Sequence, residues 1–355
     1  MYTEVTMKRR GVFATAALLV AVLLFSNRAG AQTGELNLTS SPLPIALKAK
    51  PGESISTDLR IRNSSSTPEK LKVGLMKFSA GGEEGKPQLA ERAKGDDYFD
   101  WVKFSQTELT AEPNEWKTIK MTINLPEDAA FGYYYAVTFT RTDQEQASGA
   151  MQSAVQGGSA TLVLLEADVP DTKRELSLES FGVSKRTYEF LPAKFNIKLR
   201  NKGNVHSIPS GTIFIKQGKK QIGTVSVNAS SGNVLPKSNR IFTTEWSEGF
   251  PVYKAKQENG KAVVKDGQQV YGLDWDLGDL RKLRFGKYSA TLVMVYDDGT
   301  RDVPLEATLS FWVIPWRIII FSVLILLFAG IGIWVTARKG LLKFRHQPAK
   351  FKSEK

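Results

Sequence analysis

Three features of the chain predict an all-β protein of two tandem immunoglobulin-like β-sandwiches followed by one transmembrane α-helix. Short segments of alternating apolar residues recur between clusters of Gly, Pro, Asn and Ser, which is typical of sandwich strands. Three motifs of the first half of the chain return in the same order in the second half. An uncharged apolar run occupies residues 318–335, near the carboxyl end.

The apolar run is long enough to cross the hydrocarbon core of a bilayer as a helix, and we predict a transmembrane helix over residues 316–337. Trp316 and Trp334 lie where interfacial aromatic residues are expected, and the basic tail at residues 338–355 indicates the cytoplasmic side. The sequence therefore predicts a single-pass type I protein of the cell membrane, with the bulk of the chain extracellular.

The amino-terminal residues 1–31 have the pattern of a secretory signal peptide. Basic residues at positions 8–10 precede a short apolar segment, and an Ala-Gly-Ala sequence at 29–31 offers the small residues of a cleavage site. The alternative is a first membrane helix, for which this apolar segment is short. Met7 is a second possible start of translation, because the residues before it add nothing that such a signal needs.

The net charge of +12 does not indicate binding to nucleic acid. The segments before residue 32 and after residue 315 carry surpluses of three and seven positive charges, which leaves +2 for the exported part. The basicity therefore follows from targeting and topology. The chain has no cysteine, which excludes disulfides, thiolate metal sites and thiol nucleophiles and favours a bacterial source.

The internal repeat defines the expected domains. Its paired motifs end or begin at Asn63 and Asn201, at Pro113 and Pro236, and at Gly132 and Gly286. They predict a first sandwich at residues 32–169 and a second at residues 174–314. Differences in spacing place an insert within residues 81–100 of the first copy and another at residues 247–280 of the second. Loops on a rigid sandwich commonly carry binding, so these inserts are candidate functional surfaces.

The Gly-x-Tyr motifs predict tyrosine corners at Tyr134 and Tyr288, where a hydroxyl would fix the crossover before a strand. The competing interpretation is an aromatic binding surface at residues 133–135. Alternation along a strand places Tyr134 on one face and its two neighbours on the other. At least one of these faces must therefore belong to the core.

No residue pattern indicates catalysis, so we predict a protein that is not an enzyme and that has no metal or cofactor. The sequence lacks nucleophile-elbow, zinc-protease and phosphate-loop motifs. His206 is expected to be solvated or to complete a turn. The acidic clusters at residues 274–279 and 297–302 offer oxygen ligands for a hard cation, but the second is also typical of a hairpin turn.

Aromatic side chains are the candidates for ligand contacts, because exported sandwiches stack such rings on sugars. The candidate ligand-binding residues are Trp101, Tyr133 and Trp275. Trp116 and Trp246 lie within predicted strands and are expected to be packed instead.

Several sequence stretches and the order of the segments resemble one known family. The stretches are KPGESISTDLRIRN at 50–63, LTAEPNEWKTIKMTINLPEDAAFGYYYAV at 109–137, NVLPKSNRIFTTEW at 233–246, FGKYSATL at 285–292 and FWVIPW at 311–316. They resemble the WxL-interacting protein family of Gram-positive bacteria. The resemblance implies a peptidoglycan-binding immunoglobulin-like domain, a second sandwich for host factors and a membrane anchor. The chain departs from the family pattern in its insert at 247–280 and in its tyrosine-rich FGYYYAV.

These observations predict a non-catalytic, membrane-anchored bacterial surface protein that binds cell-wall glycan or a surface protein partner. The alternative is an exported, chaperone-like assembly factor that offers a sheet edge to client strands. An unprotected edge strand would favour that alternative. A third interpretation is an enzyme that uses Asp274 and Asp276 as paired carboxylates.

Overall fold

The computed structural model describes residues 36–142, 159–258 and 260–345, with side chains described as far as residue 339. These residues form two successive immunoglobulin-like β-sandwiches and one carboxyl-terminal α-helix, which confirms the predicted fold class. The predicted signal peptide at 1–31 and most of the basic tail lie outside the described residues.

Among the described residues, ten strands build the first sandwich: β1 (Leu38–Ser41), β2 (Ile45–Ala49), β3 (Ser54–Asn63), β4 (Glu69–Gly81), β5 (Lys86–Ala90), β6 (Val102–Phe104), β7 (Glu108–Ala111), β8 (Trp116–Asn124), β9 (Phe131–Arg141) and β10 (Ser159–Ala167). One sheet has the order β1-β3-β8-β6, and the other has the order β2-β10-β9-β4-β5, with β7 on β4. The pairing of β2 with β10 is parallel. Ile119, Met121 and Ile123 are fully buried because alternate residues of β8 face the opposing sheet.

The strands of the second sandwich and its insert are β11 (Leu176–Val183), β12 (Thr187–Tyr188), β13 (Ala193–Asn201), β14 (Ser210–Gln217), β15 (Lys220–Val227), β16 (Asn239–Trp246), β17 (Val252–Ala255), β18 (Gln257–Glu258), β19 (Lys261–Ala262), β20 (Val264–Lys265), β21 (Gln268–Gln269), β22 (Tyr271–Asp274), β23 (Gly286–Asp297) and β24 (Asp302–Val313). The sheets β11-β13-β16 and β12-β24-β23-β14-β15 enclose the core. Strands β17 to β22 pair with one another in three two-stranded sheets and form the arm of the insert. Val252 of β17 also forms one parallel bridge to Leu191 of the second sandwich.

The internal repeat reappears as one set of hydrogen bonds made twice. Asn63 and Asn201 are both fully buried at the ends of β3 and β13. The Nδ2 group of Asn201 donates to the carbonyls of Val205 and Val234, both at 2.8 Å, and its Oδ1 accepts the Gly203 N–H at 2.8 Å. Asn63 makes the matching bonds to residues 67, 111 and 65. A buried amide thus fixes the turn after the same strand in each sandwich.

One of the two predicted tyrosine corners is confirmed, and the other is displaced by one residue. The Tyr288 hydroxyl accepts the Phe285 N–H at 3.0 Å, three residues upstream, as predicted. In the first sandwich the matching bond runs from the Ala130 N–H to the hydroxyl of Tyr133, at 3.0 Å, so the prediction for Tyr134 is wrong. The shift arises because Phe131, two residues before Tyr133, adopts a left-handed φ of 67°. The equivalent position in the second copy is Gly286, two residues before Tyr288, whose φ is 113°.

The carboxyl-terminal helix α1 (Trp316–Arg345) follows β24 after only two residues. Among the described residues, one helical segment, Trp316–Lys339, is long and apolar enough to cross a membrane, and none of its apolar window is buried within the protein. The helix continues to Arg345, whereas the sequence placed its end at residue 337. A fully exposed apolar helix of this length matches the thickness of a bilayer rather than the core of a soluble domain.

Candidate functional site

A cleft of about 1130 Å³ lies between the two sandwiches. The first sandwich contributes the outward face of β10 and the hairpin formed by β4 and β5, and the second contributes the loop before β16. Phe78, Leu162 and Leu164 form an apolar cluster that Leu235 of the second sandwich joins. Because parts of both sandwiches enclose it and apolar side chains line it, the cleft is a candidate ligand site.

Strand β10 has apolar side chains on both faces, so that one face packs in the core and the other lines the cleft. Val163 and Leu165 are fully buried in the core of the first sandwich. Ala160, Leu162 and Leu164 alternate with them and line the cleft. A continuous apolar run is expected of a strand covered on both sides, and the run at residues 162–165 is the sequence signal for this strand.

The edge of β10 is only partly covered. Strand β9 pairs with the whole of β10, from Ser159 to Ala167. On the other side, β2 pairs with residues 163–167 alone, and no other strand of the described residues pairs with that side of residues 159–162. Within the described part of the chain, residues 159–162 therefore have an edge that no strand pairs, here called the free edge, and it lies beside the apolar cleft. Strand addition requires an edge of this kind.

The β4–β5 hairpin reaches across to the second sandwich and fixes one end of the cleft. The carbonyl of Glu83, in the turn of the hairpin, accepts the Ile241 N–H of β16 at 2.6 Å. Its carboxylate accepts hydrogen bonds from Lys198 at 2.6 Å and from Asn239 at 3.1 Å. The Lys198 hydrogen bond lowers the pKa of the Glu83 carboxyl. The first predicted insert thus joins the two sandwiches.

Arg240 is one of two cationic residues that line the cleft, the other being Lys86. Its Nη1 group donates to the carbonyl of Asn233 at 2.6 Å, and its guanidinium carbon lies 5.0 Å from the ring centre of Phe242. Burial lowers the pKa of Arg240. A Cβ at Gly85, whose φ is 75°, would lie 2.5 Å from this guanidinium. The left-handed φ favours glycine at position 85, and the absence of a Cβ also lets the arginine approach the hairpin closely.

His206 lies at the junction of the sandwiches, in the connection between β13 and β14, and its Nδ1 atom is buried, so the expectation of a solvated side chain is wrong. Its ring meets Tyr134 of the first sandwich edge-on, with 5.9 Å between ring centres. Burial lowers the pKa of His206, and the nearby Glu166 carboxylate opposes that shift. Glu166 is itself buried and pairs with Arg174 at 2.5 Å. The neutral imidazole therefore suits this contact best.

We expect acid to weaken the contact at His206. Because burial lowers the pKa in the folded protein, the unfolded chain takes up a proton first as the pH falls below the ordinary value of 6.5. The stability that neutral His206 contributes is therefore complete above pH 6.5 and decreases as the pH falls below 6.5. The melting temperature should fall more in the wild type than in His206→Gln between about pH 7.5 and about pH 5.5. Equal falls in the two proteins would contradict this assignment.

The structure brings Trp101 and Tyr133 together at one end of the first sandwich. Their ring centres are 4.7 Å apart, and Tyr98 packs against Tyr133 at 5.5 Å. The Tyr133 hydroxyl already accepts a backbone N–H, and both rings pack against the core. These rings are therefore occupied within the fold, and their role in ligand binding stays a prediction.

Trp275 is not part of that cluster, because it lies in the insert of the second sandwich. Its ring is 53% exposed and meets Phe250 and Phe190 edge-on, at 5.8 and 6.3 Å between ring centres. Trp246 is buried in the core as expected. Trp116 is 37% exposed between two arginine side chains, so its predicted packing is wrong.

The acidic clusters have structural partners. Asp274 pairs with Lys254 at 2.6 Å, and Asp276 caps a short 3-10 helix by accepting the Gly278 N–H at 2.9 Å. Asp298 accepts backbone N–H groups in the turn between β23 and β24, as predicted for a hairpin. The described ranges contain no group of three or more His, Asp or Glu side chains placed to hold a metal ion.

No protein-family model and no curated protein match this chain. Among solved structures, the chain is similar to the class 5 fimbriae chaperone CfaA at 18% identity, over 68% of this chain and 100% of that chain, with a TM-score of 0.33. It is also similar to the YadV chaperone at 12% identity, over 77% and 100% of the two chains, with a TM-score of 0.32. The CupB2 chaperone of Pseudomonas aeruginosa matches at 10% identity, over 78% and 100%, with a TM-score of 0.32. TM-scores this low carry no argument about function, which rests on the cleft itself.

Proposed function

We propose that this protein is a non-catalytic, membrane-anchored surface protein that holds a segment of a partner protein in the cleft. The observation that carries the proposal is the free edge at residues 159–162, next to apolar side chains of the same strand. An extended segment added there would pair its backbone with β10 and place alternate side chains in the cleft. Main-chain hydrogen bonds would supply affinity, and the apolar contacts would supply specificity.

The anchor in this proposal is α1, which is long and apolar enough to span a bilayer. Basic residues after the helix indicate the cytoplasmic side. Both sandwiches precede the helix in the chain, so this orientation exposes the cleft to the cell surface. A segment of another surface protein can reach the cleft there.

A protein partner has more support than cell-wall glycan. Stacking on a sugar requires an aromatic face that the protein does not already use. Trp101 and Tyr133 pack against each other and against Tyr98. Of the predicted ligand residues, Trp275 alone is more than half exposed, and it lies outside the cleft.

Cross-linking in cells tests the cleft. We expect a photoreactive amino acid at position 160 of the full chain to capture a surface protein. Leu162→Glu should lower the yield at least about ten-fold, because it places a charge where about 1.5–3 kcal/mol of apolar burial is expected. Val264→Glu is the matched control, since it changes an exposed apolar residue away from the cleft. Equal yields in both variants, or capture of peptidoglycan fragments alone, would contradict the proposal.

The free edge also favours a second function, that of a chaperone-like assembly factor for surface proteins. Such a factor would bind its client briefly, before the client folds, whereas a surface receptor would keep its partner. Pulse-chase labelling combined with cross-linking at position 160 separates the two. A cross-link that disappears during the chase indicates an assembly factor, and a cross-link that persists indicates a stable complex.

A further inference from the structure

The insert of the second sandwich ends in an exposed apolar segment at residues 275–285. It contains the 3-10 helix Leu277–Lys282 and the three residues that lead into β23. Between 42% and 74% of each of its large apolar side chains is exposed, and these are Trp275, Leu277, Leu280, Leu283 and Phe285. Five such residues within one short segment form a patch rather than the scattered exposed residues of an ordinary surface.

The segment lies beside the point where the chain enters α1. Phe285 precedes Gly286, which pairs with Val313, three residues before the first residue of the helix. Paired residues of neighbouring strands are about 5 Å apart, so the patch ends within one strand spacing of the β24 terminus. Trp312 and Trp316, on either side of this junction, are 45% and 49% exposed.

Hydrogen bonds hold the segment in this place. The Lys282 carbonyl accepts the Phe250 N–H at 3.0 Å, and the Arg284 Nε group donates to the Glu248 carbonyl at 2.7 Å. The Phe285 carbonyl accepts a hydrogen bond from the Gln217 side chain at 2.7 Å. The apolar side chains are therefore presented by a fixed backbone.

The composition of the patch suits the headgroup region of a membrane. Trp, Leu and Phe side chains are interspersed with charged ones, the cationic ones all in its second half, and such mixtures are typical of segments that lie at the interface between lipid and water. Four basic side chains, Arg281, Lys282, Arg284 and Lys287, belong to the segment or follow it, against the two carboxylates of Asp276 and Asp279, so this stretch carries a net positive charge. This charge complements anionic lipid headgroups.

We propose that residues 275–285 rest in the headgroup layer of the bilayer that α1 spans, so that the second sandwich is seated directly on lipid. This inference rests on the membrane anchor of the proposed function. The patch ends beside the strand that leads into the membrane helix, next to the exposed Trp312 and Trp316, which is why lipid, rather than a second copy or another protein, is its expected occupant.

The absence of cysteine from the chain permits a direct test with single cysteines. Leu280→Cys, Val264→Cys and Ile325→Cys each receive a nitroxide spin label in the full chain, reconstituted in vesicles of phosphatidylcholine and phosphatidylglycerol. All three side chains are exposed, so the substitutions leave the packing intact. We expect the oxygen-to-nickel collision ratio to be several-fold higher at position 280 than at position 264, the control in the same insert.

Position 325 lies within α1 and reports the anchor independently. A lipid-like ratio at 325 with a water-like ratio at 280 would overturn the seating of the sandwich and leave the anchor intact. A water-like ratio at 325 would overturn the anchor and the seating together. Low collision rates with both reagents at 280, accompanied by spin–spin broadening, would show a second copy on the patch and would also overturn the proposal.

Discussion

Glu69→Gln is expected to destabilise the first sandwich by about 3–5 kcal/mol. The side chains of Glu69 and Arg141 are only 2% and 5% exposed. The carboxylate accepts hydrogen bonds from Nε and Nη2 of Arg141, both at 2.7 Å. The amide would remove the negative charge that these two hydrogen bonds join to the guanidinium, so the desolvation of the buried pair would be offset less.

Chemical unfolding of the full chain in detergent, followed by tryptophan fluorescence, measures this loss. Glu84→Gln is the control, because it breaks a solvent-exposed pair with Lys86 and should leave the free energy of unfolding nearly unchanged. The double variant Glu69→Leu/Arg141→Met should recover most of the loss, since it removes both charges from the interior. A loss below about 1 kcal/mol for Glu69→Gln would show that the pair is hydrated in solution.

Asn201→Ala is expected to cost the second sandwich about 3 kcal/mol or more, because it leaves two carbonyls and one N–H buried without their partner. Asn63→Ala should have a similar effect in the first sandwich, where the same bonds recur. Comparing the losses in unfolding free energy of the two variants tests whether the repeated asparagine stabilises both sandwiches equally.

Hydrogen exchange assigns each loss to its sandwich, since Asn201→Ala should speed exchange in β13 and leave β8 protected. Asn196→Ala is the control, because the bonds of Asn196 to Ser184 and Thr243 are exposed to solvent. Faster exchange in both sandwiches after Asn201→Ala would instead indicate that they unfold as one unit.

The fold class was predictable because its signals are local. Alternation, turn residues and one long apolar run each depend only on residues that are close in sequence. They correctly predicted the sandwiches and the apolar helix near the carboxyl end. The same alternation could have corrected Trp116, because Ile119, Met121 and Ile123 face inward at odd positions and residue 116 must then face outward. That parity was available in the sequence and was not applied.

The cleft could not be predicted, because it depends on how the two sandwiches meet. Phe78, Leu162 and Leu235 are far apart in sequence, and their patterns do not reveal that they share a cluster. The displaced tyrosine corner has another cause. Phe131 takes a backbone conformation that usually requires glycine, so the motif Gly132–x–Tyr134 was aligned one residue too late.

The short passage from β24 to α1 has a mechanical consequence. Only Ile314 and Pro315 separate the strand from the helix, so there is no flexible linker that tension on a bound partner could extend before it reaches the helix. All twelve residues of β24 are paired with β23. A pull along this strand would load the whole ladder in shear instead of peeling it bond by bond. The second sandwich would then transmit force from the bound partner to the membrane helix with little extension.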